Sequence, residues 1–153
     1  MKHSHGQSMT EFALVAPIFF LLLFGIIEAG RFIFYYEVLN NATREGARYA
    51  IVNGANSLDC PTGPPAPSSR ACDTAGDDVV QKVRDAAVGV LGTGVVVTPC
   101  WKNLSCDPLP GDGDNARGRT VTVRATYTYS SLIPIVPLPN ITIRAESSLV
   151  INN

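Results

Sequence analysis

The amino-acid sequence predicts an α+β protein: a long N-terminal helix, then a small domain of one short helix and an antiparallel sheet. Three observations carry this prediction. Phe12 to Ile27, FALVAPIFFLLLFGII, runs for sixteen residues without a charge. No proline interrupts Glu28 to Val52, and polar and apolar residues there recur at helical steps, so one helix continues from about Ser8 to Val52. Near the C-terminus RTVTVRATYTY (Arg119 to Tyr129) and ITIRAESSLVI (Ile141 to Ile151) alternate apolar with polar residues, the period of half-buried strands.

At a rise of about 1.5 Å per residue, Phe12–Ile27 spans ~24 Å, and the turns on either side bring it to the ~30 Å of a hydrocarbon core. The run is that of a membrane helix. A secretory signal peptide fits it poorly: Lys2 is the only basic residue ahead of it, and the small residue, Gly6, precedes the apolar core instead of following it. Glu11 stands at the mouth of the run, where a buried charge costs roughly 2.5–3.5 kcal/mol at mid-bilayer. One reading makes Ser8-Met9-Thr10-Glu11 a capping box at headgroup level. Pro17 bends the helix or frees a hydrogen bond. Small residues (Ala13, Ala16, Gly25, Ala29, Gly30) permit close approach of another helix.

Beyond the run, Glu28 and Arg31 lie three apart, so they pair or reach separately to headgroups. Tyr35 and Tyr36 suit an interfacial aromatic belt. Glu37, Asn41, Arg44, Glu45 and Arg48 mark a polar face; Phe32, Tyr35, Leu39, Ala42, Gly46 and Tyr49 mark an apolar stripe. Residues 53–76, rich in proline and glycine, read as an exposed loop. Asp77 or Asp78 is expected to cap a second helix, about Asp78 to Leu91, which Gly92 ends. Gly94 to Thr98 reads as a strand leading to Cys100 and Trp101. LIPIVPLP (Leu132 to Pro139) is too proline-rich for a central strand; its apolar side chains seal the edge of the core or contact a partner, the core being the favoured reading.

All four cysteines follow the helix, which points to an oxidising compartment and places the N-terminus in the cytoplasm. Three connectivities are open. The local pairs Cys60–Cys72 and Cys100–Cys106 are favoured, because each brackets a turn-rich loop. Metal binding is disfavoured by the absence of a C-x-x-C and of a nearby histidine, and no cofactor is expected. A formal net charge of −1 without a basic stripe argues against nucleic acid. Neither a G-x-S-x-G nor a Walker-type loop is present, so the chain is not read as an enzyme. Asp112 and Asp114 lack the spacing and closing Glu of an EF-hand and read as a solvated turn.

A glycine, four residues, Glu11-Phe12 and an apolar helix resemble the processing site of class III type IV prepilin-like proteins. Gly6 to Gly54 resembles specifically the TadE family of the tight-adherence (Tad/Flp) pilus system. The most distinctive parts are Glu11-Phe12, Pro17, Glu28-Ala29-Gly30-Arg31 and Thr43-Arg44-Glu45-Gly46-Ala47-Arg48-Tyr49-Ala50. The resemblance implies a leader (residues 1–6) cut by a prepilin peptidase between Gly6 and Gln7, a helix (7–52) and an extracytoplasmic domain (53–153). It also implies that Glu11 offsets the N-terminal amine of a neighbouring subunit. Glu28, Arg31, Arg44, Glu45 and Arg48 are then the candidate helix-packing or interface residues. The implied partners are the peptidase, other minor pseudopilins (TadF-like and TadG-like), the major Flp pilin, the inner-membrane assembly platform and membrane lipid. The implied function is a minor pseudopilin of the bacterial inner membrane, with the domain periplasmic, at the tip or base of a surface-adhesion pilus. A platform component retained in the membrane and a signal-anchored binding or adhesion module are the alternatives.

Overall fold

The computed structural model describes residues 5–58, 60–65, 72–101, 113–132 and 140–152, with side chains from residue 8 onward. Among these residues five elements follow one another: α1 (His5–Val52), α2 (Asp77–Leu91), β1 (Val95–Cys100), β2 (Thr120–Tyr129) and β3 (Ile141–Val150). The architecture is α+β. α1 is one unbroken helix of 48 residues with Pro17 inside it. Because the helix is already under way at His5, Ser8-x-x-Glu11 does not form a capping box at its start.

The sheet is antiparallel with β2 in the middle, in the order β1-β2-β3. Val97 faces Ala125, and Ala125 faces Ala145, so the inward side chains of three strands line up in one row. The alternation in β2 and β3 does what the pattern predicts. Val121, Val123, Ala125, Ile143 and Ala145 are buried beneath the helices. On the opposite face Arg124 and Glu146, directly paired across the strands, make a 3.3 Å ion pair. Thr122 and Ser148 join their hydroxyls at 2.7 Å on the same side.

Among the described residues, α1 packs on this domain from Glu28 onward. Leu39, Ala42, Ala47 and Ala50 are buried in the core with Val79, Val83, Ala87 and Leu91 of α2. The stripe is made of small residues because two helices and a sheet must meet there. β2 runs antiparallel to α1. Val123 lies beside Gly46, the Tyr127 ring meets Tyr35, and the Tyr129 ring meets Phe32.

Part of the segment read as an exposed loop is folded inward instead. Cys60 and Cys72 are bonded to each other, and Pro61, Thr62 and Gly63 are buried. A loop with a sequence separation of 12 gains roughly 3 kcal/mol from this closure in the chain-entropy account. Asn115, fully buried, holds the loop from the far side: its side chain donates to the Thr62 carbonyl at 3.2 Å. Cys100 is also disulfide-bonded; Cys106 lies outside the described residues, as do most of 102–118 and all of 133–139.

The cap of α2 departs from expectation. The N-cap is Gly76, in the left-handed region at φ 76°, and it offers no side chain. A Cβ there would also lie 2.2 Å from the Trp101 ring, so the close fit of Trp101 demands glycine. The capping oxygens come from Asp73, upstream, which accepts the amides of Asp77 at 2.8 Å and Asp78 at 3.0 Å. Asp77 and Asp78 instead place two carboxylates in the positive first turn. Asp73 also accepts the Thr62 hydroxyl at 2.7 Å. Partial burial raises its pKa, but these donors outweigh it and hold the carboxyl below its ordinary 3.8. Gly92 ends the helix, as the sequence indicates.

Candidate functional site

The first half of α1 extends beyond the domain. Phe12, Leu14, Ile18 and Ile26 are each at least 65 % exposed, and the uncharged run offers apolar side chains around its whole circumference. Water does not tolerate a bare apolar rod of this length, whereas lipid or a bundle of like helices does. The helix is long and apolar enough to cross a membrane. Glu11 is exposed one residue ahead of Phe12. At Gly25 and Gly30 an added Cβ would meet nothing within 4 Å, so both glycines leave their faces open to another chain.

The run ends in a cluster that ties helix to sheet. Glu28 is 9 % exposed and pairs with Arg31 at 3.2 Å, the first of the two arrangements open in the sequence. Its other oxygen accepts the Tyr129 hydroxyl at 2.6 Å and the Leu132 amide at 3.2 Å. Arg31 in turn donates to the Tyr35 hydroxyl at 3.3 Å and lies over the Tyr35 and Tyr129 rings. Tyr35 is thus half-buried against the sheet, whereas an aromatic-belt residue would present its ring outward. Its ring meets Tyr127 and Tyr129 edge-on at 5.9 and 5.6 Å. Tyr36, one position round the helix, is exposed. Burial first, then the bond to Glu28, pushes the Tyr129 phenol up to about 12, so it stays a donor at any physiological pH.

Sequence reasoning singled out Glu28 and Arg31 but missed Tyr129 and Leu132, which lie 101 and 104 positions away from Glu28. The available signal was a tyrosine ending an alternating strand, since a buried phenol needs a partner.

Farther out, Arg44, Glu45 and Arg48 are exposed on α1 and face away from the core. The four-residue step from Arg44 to Arg48 keeps both on one side, beside Asn41 and Glu37. The proposed cleavage residues Gly6 and Gln7 lie in the first turns of α1; their side chains, and residues 1–4, lie outside the described residues.

Residues 6–48 match the family model of TadE-like proteins. Over this stretch, under a third of its length, the chain is similar to TadE-like proteins. None of the curated proteins and none of the solved structures matches it. The TadE-like segment takes in the bare apolar half of α1, the Glu28–Arg31 pair and the exposed Arg44-Glu45 and Arg48 positions. TadE-like proteins are associated with Tad pilus systems, and the match suggests partners within such a system in general. The apolar N-terminal helix, the one such helix among the described residues, fits a membrane-anchored protein of a pilus system. The cap, the disulfide loop and the sheet lie outside the matched stretch, so the carboxylate of the TadE-like segment bonds to a tyrosine beyond it.

Proposed function

We propose that this TadE-like protein is a minor pseudopilin with a structural, non-catalytic role in assembly of a Tad pilus. The observation that carries the reading is the division of α1. One part packs its own domain, and another, Phe12 to Ile27, is an uncharged rod of sixteen residues that the domain leaves bare. A rod of this kind serves twice, as a membrane anchor before assembly and as a packing surface among related helices afterwards. A prepilin peptidase would cut between Gly6 and Gln7, leaving Glu11 as the fifth mature residue. In low dielectric, an isolated carboxylate and an isolated amine are each costly, and together they offset one another. Glu11 is thus poised to receive the N-terminal amine of a neighbouring subunit. The helix would enter the inner membrane with its N-terminus cytoplasmic, and the periplasm would supply the oxidising conditions for Cys60–Cys72.

The test is N-terminal sequencing of the protein from its native membrane, with and without the prepilin peptidase. The expected mature chain begins at Gln7 and depends on the peptidase. Glu11→Ala is expected to insert normally yet be depleted from purified pili. Retention of Met1 in both strains would remove the pseudopilin pathway and leave a plain signal-anchored module.

A further inference from the structure

The end of the sheet nearest the bare helix carries exposed apolar side chains where polar ones would be expected. β2 descends alongside α1 toward its apolar half: Val123 at Gly46, Tyr127 at Tyr35, Tyr129 at Phe32 and Glu28. Three residues past Tyr129, the Leu132 amide is bonded to Glu28, so this end of the sheet is fixed at that height on the helix. Leu132 is 73 % exposed, and Ile141, where β3 begins, is 39 % exposed.

The depth of Glu28 in a bilayer follows from length. A hydrocarbon layer of ~30 Å takes about 20 helical residues, so a layer that begins at Phe12 reaches to about Arg31. Tilt lengthens the stretch required and sets these residues deeper still. Glu28 and Arg31 thus fall at the hydrocarbon boundary, and they are neutralised there by each other and by Tyr129. The helix itself is consistent with this depth. On its free side Ile33 and Phe34 are 59 % and 55 % exposed, so its apolar surface continues past Glu28.

We propose that the end of the sheet bearing Leu132 and Ile141 rests in the outer interfacial layer of the same bilayer that α1 crosses. The domain is then held to the membrane at two points and cannot swing about its helix. Extraction from the membrane must free this end together with α1. The inference rests on the reading of α1 as a membrane anchor, and the test separates the two.

Three tryptophan variants of the full chain, Leu132→Trp, Phe20→Trp and Leu58→Trp, are placed in phosphatidylcholine vesicles with and without bromine on the acyl chains. The buried Trp101 gives the common background, read from the unsubstituted chain. Leu58 is 97 % exposed just past the far end of α1. Expected is quenching of the Phe20→Trp emission by deep bromines, of Leu132→Trp by bromines near the headgroup end, and no loss for Leu58→Trp. Leu132→Trp matching Leu58→Trp while Phe20→Trp is quenched would overturn the second contact and leave the anchor standing. A blue-shifted but unquenched Leu132→Trp would assign this end to a neighbouring protein chain and also overturn the proposal. No quenching of Phe20→Trp would remove the anchor, and the second contact with it.

Discussion

Gly46 is the position where the packing of the domain on its helix can be tested by a single methyl group. It lies buried on α1 where α2 and β2 converge. A Cβ there would fall 2.3 Å from Val83 Cγ2, with Val123 Cγ1 at 3.5 Å and Val79 Cγ1 at 3.6 Å. Ordinary contact needs at least 3.4 Å, so Val83 or the whole of α2 must yield by more than an ångström. Val83 is β-branched and helical, with one strongly preferred rotamer, so rotation offers little relief. Two effects oppose each other in Gly46→Ala. Replacing glycine in a helix interior gains about 1 kcal/mol, whereas overpacking a filled core costs about 1–3 kcal/mol.

Overpacking wins here, because the methyl would face a valine on the neighbouring helix and not solvent. The expected net loss is about 1 kcal/mol, up to about 2. The assay is equilibrium urea unfolding of the full chain in mild detergent, followed by Trp101 emission. Val83→Ala alone loses buried methyl groups, at about 0.8 kcal/mol each plus a cavity term. In the double variant the methyl at position 46 occupies that cavity, so the two changes couple favourably by roughly 1 kcal/mol. Stabilisation by the full helix-propensity gain, or strict additivity of the two changes, would show that the helices do not meet here as described.

Two further outcomes follow from the polar contacts. Asp73→Ala removes the acceptor for the first amides of α2 and is expected to cost about 1–2 kcal/mol at pH 7. Since its folded pKa lies below the usual 3.8, the stability Asp73 contributes is fully present above about pH 4 and is lost as the pH falls through the folded value. The gap between wild type and variant in urea titrations should therefore narrow toward pH 3, and an equal gap at both pH values would contradict the cap. Tyr129→Phe keeps the ring contacts with Phe32 and Tyr35 but deletes the bond to Glu28. Amide exchange at Leu132 should quicken roughly tenfold, the scale of one hydrogen bond to a charged group, while Val123 is unaffected. Unchanged exchange at Leu132 would show that Glu28 does not anchor this end.

The sequence by itself determined the elements and which face of each turns inward, because helix and strand have fixed periods that apolar residues must follow to be buried together. Phe12 to Ile27 needed no fold to be read as a rod without charge. The two alternating segments needed none to be read as strands with Val121, Val123, Ile143 and Ala145 inside. The local disulfide, Cys60–Cys72, was legible because the cysteines bracket one turn-rich loop. Glycine at position 92 was legible as a helix end.

Only the tertiary structure decided which groups meet across a hundred residues. Hydrogen bonds are short and directional, so a carboxylate's partner depends on how strands stack on a helix, and no local pattern records that. Glu28 therefore showed its near neighbour Arg31 in the sequence but not Tyr129 or Leu132. Tyr35 showed in the sequence as an aromatic near the end of the apolar run, but not as the ring that two tyrosines of β2 pack against. The cap of α2 shows the same limit at short range. Two aspartates open the helix, but Trp101 packs so close to position 76 that only a left-handed glycine fits there, and the capping oxygens had to come from Asp73. Pattern fixes what can be buried; the path of the chain through space decides what each polar group finds once it is.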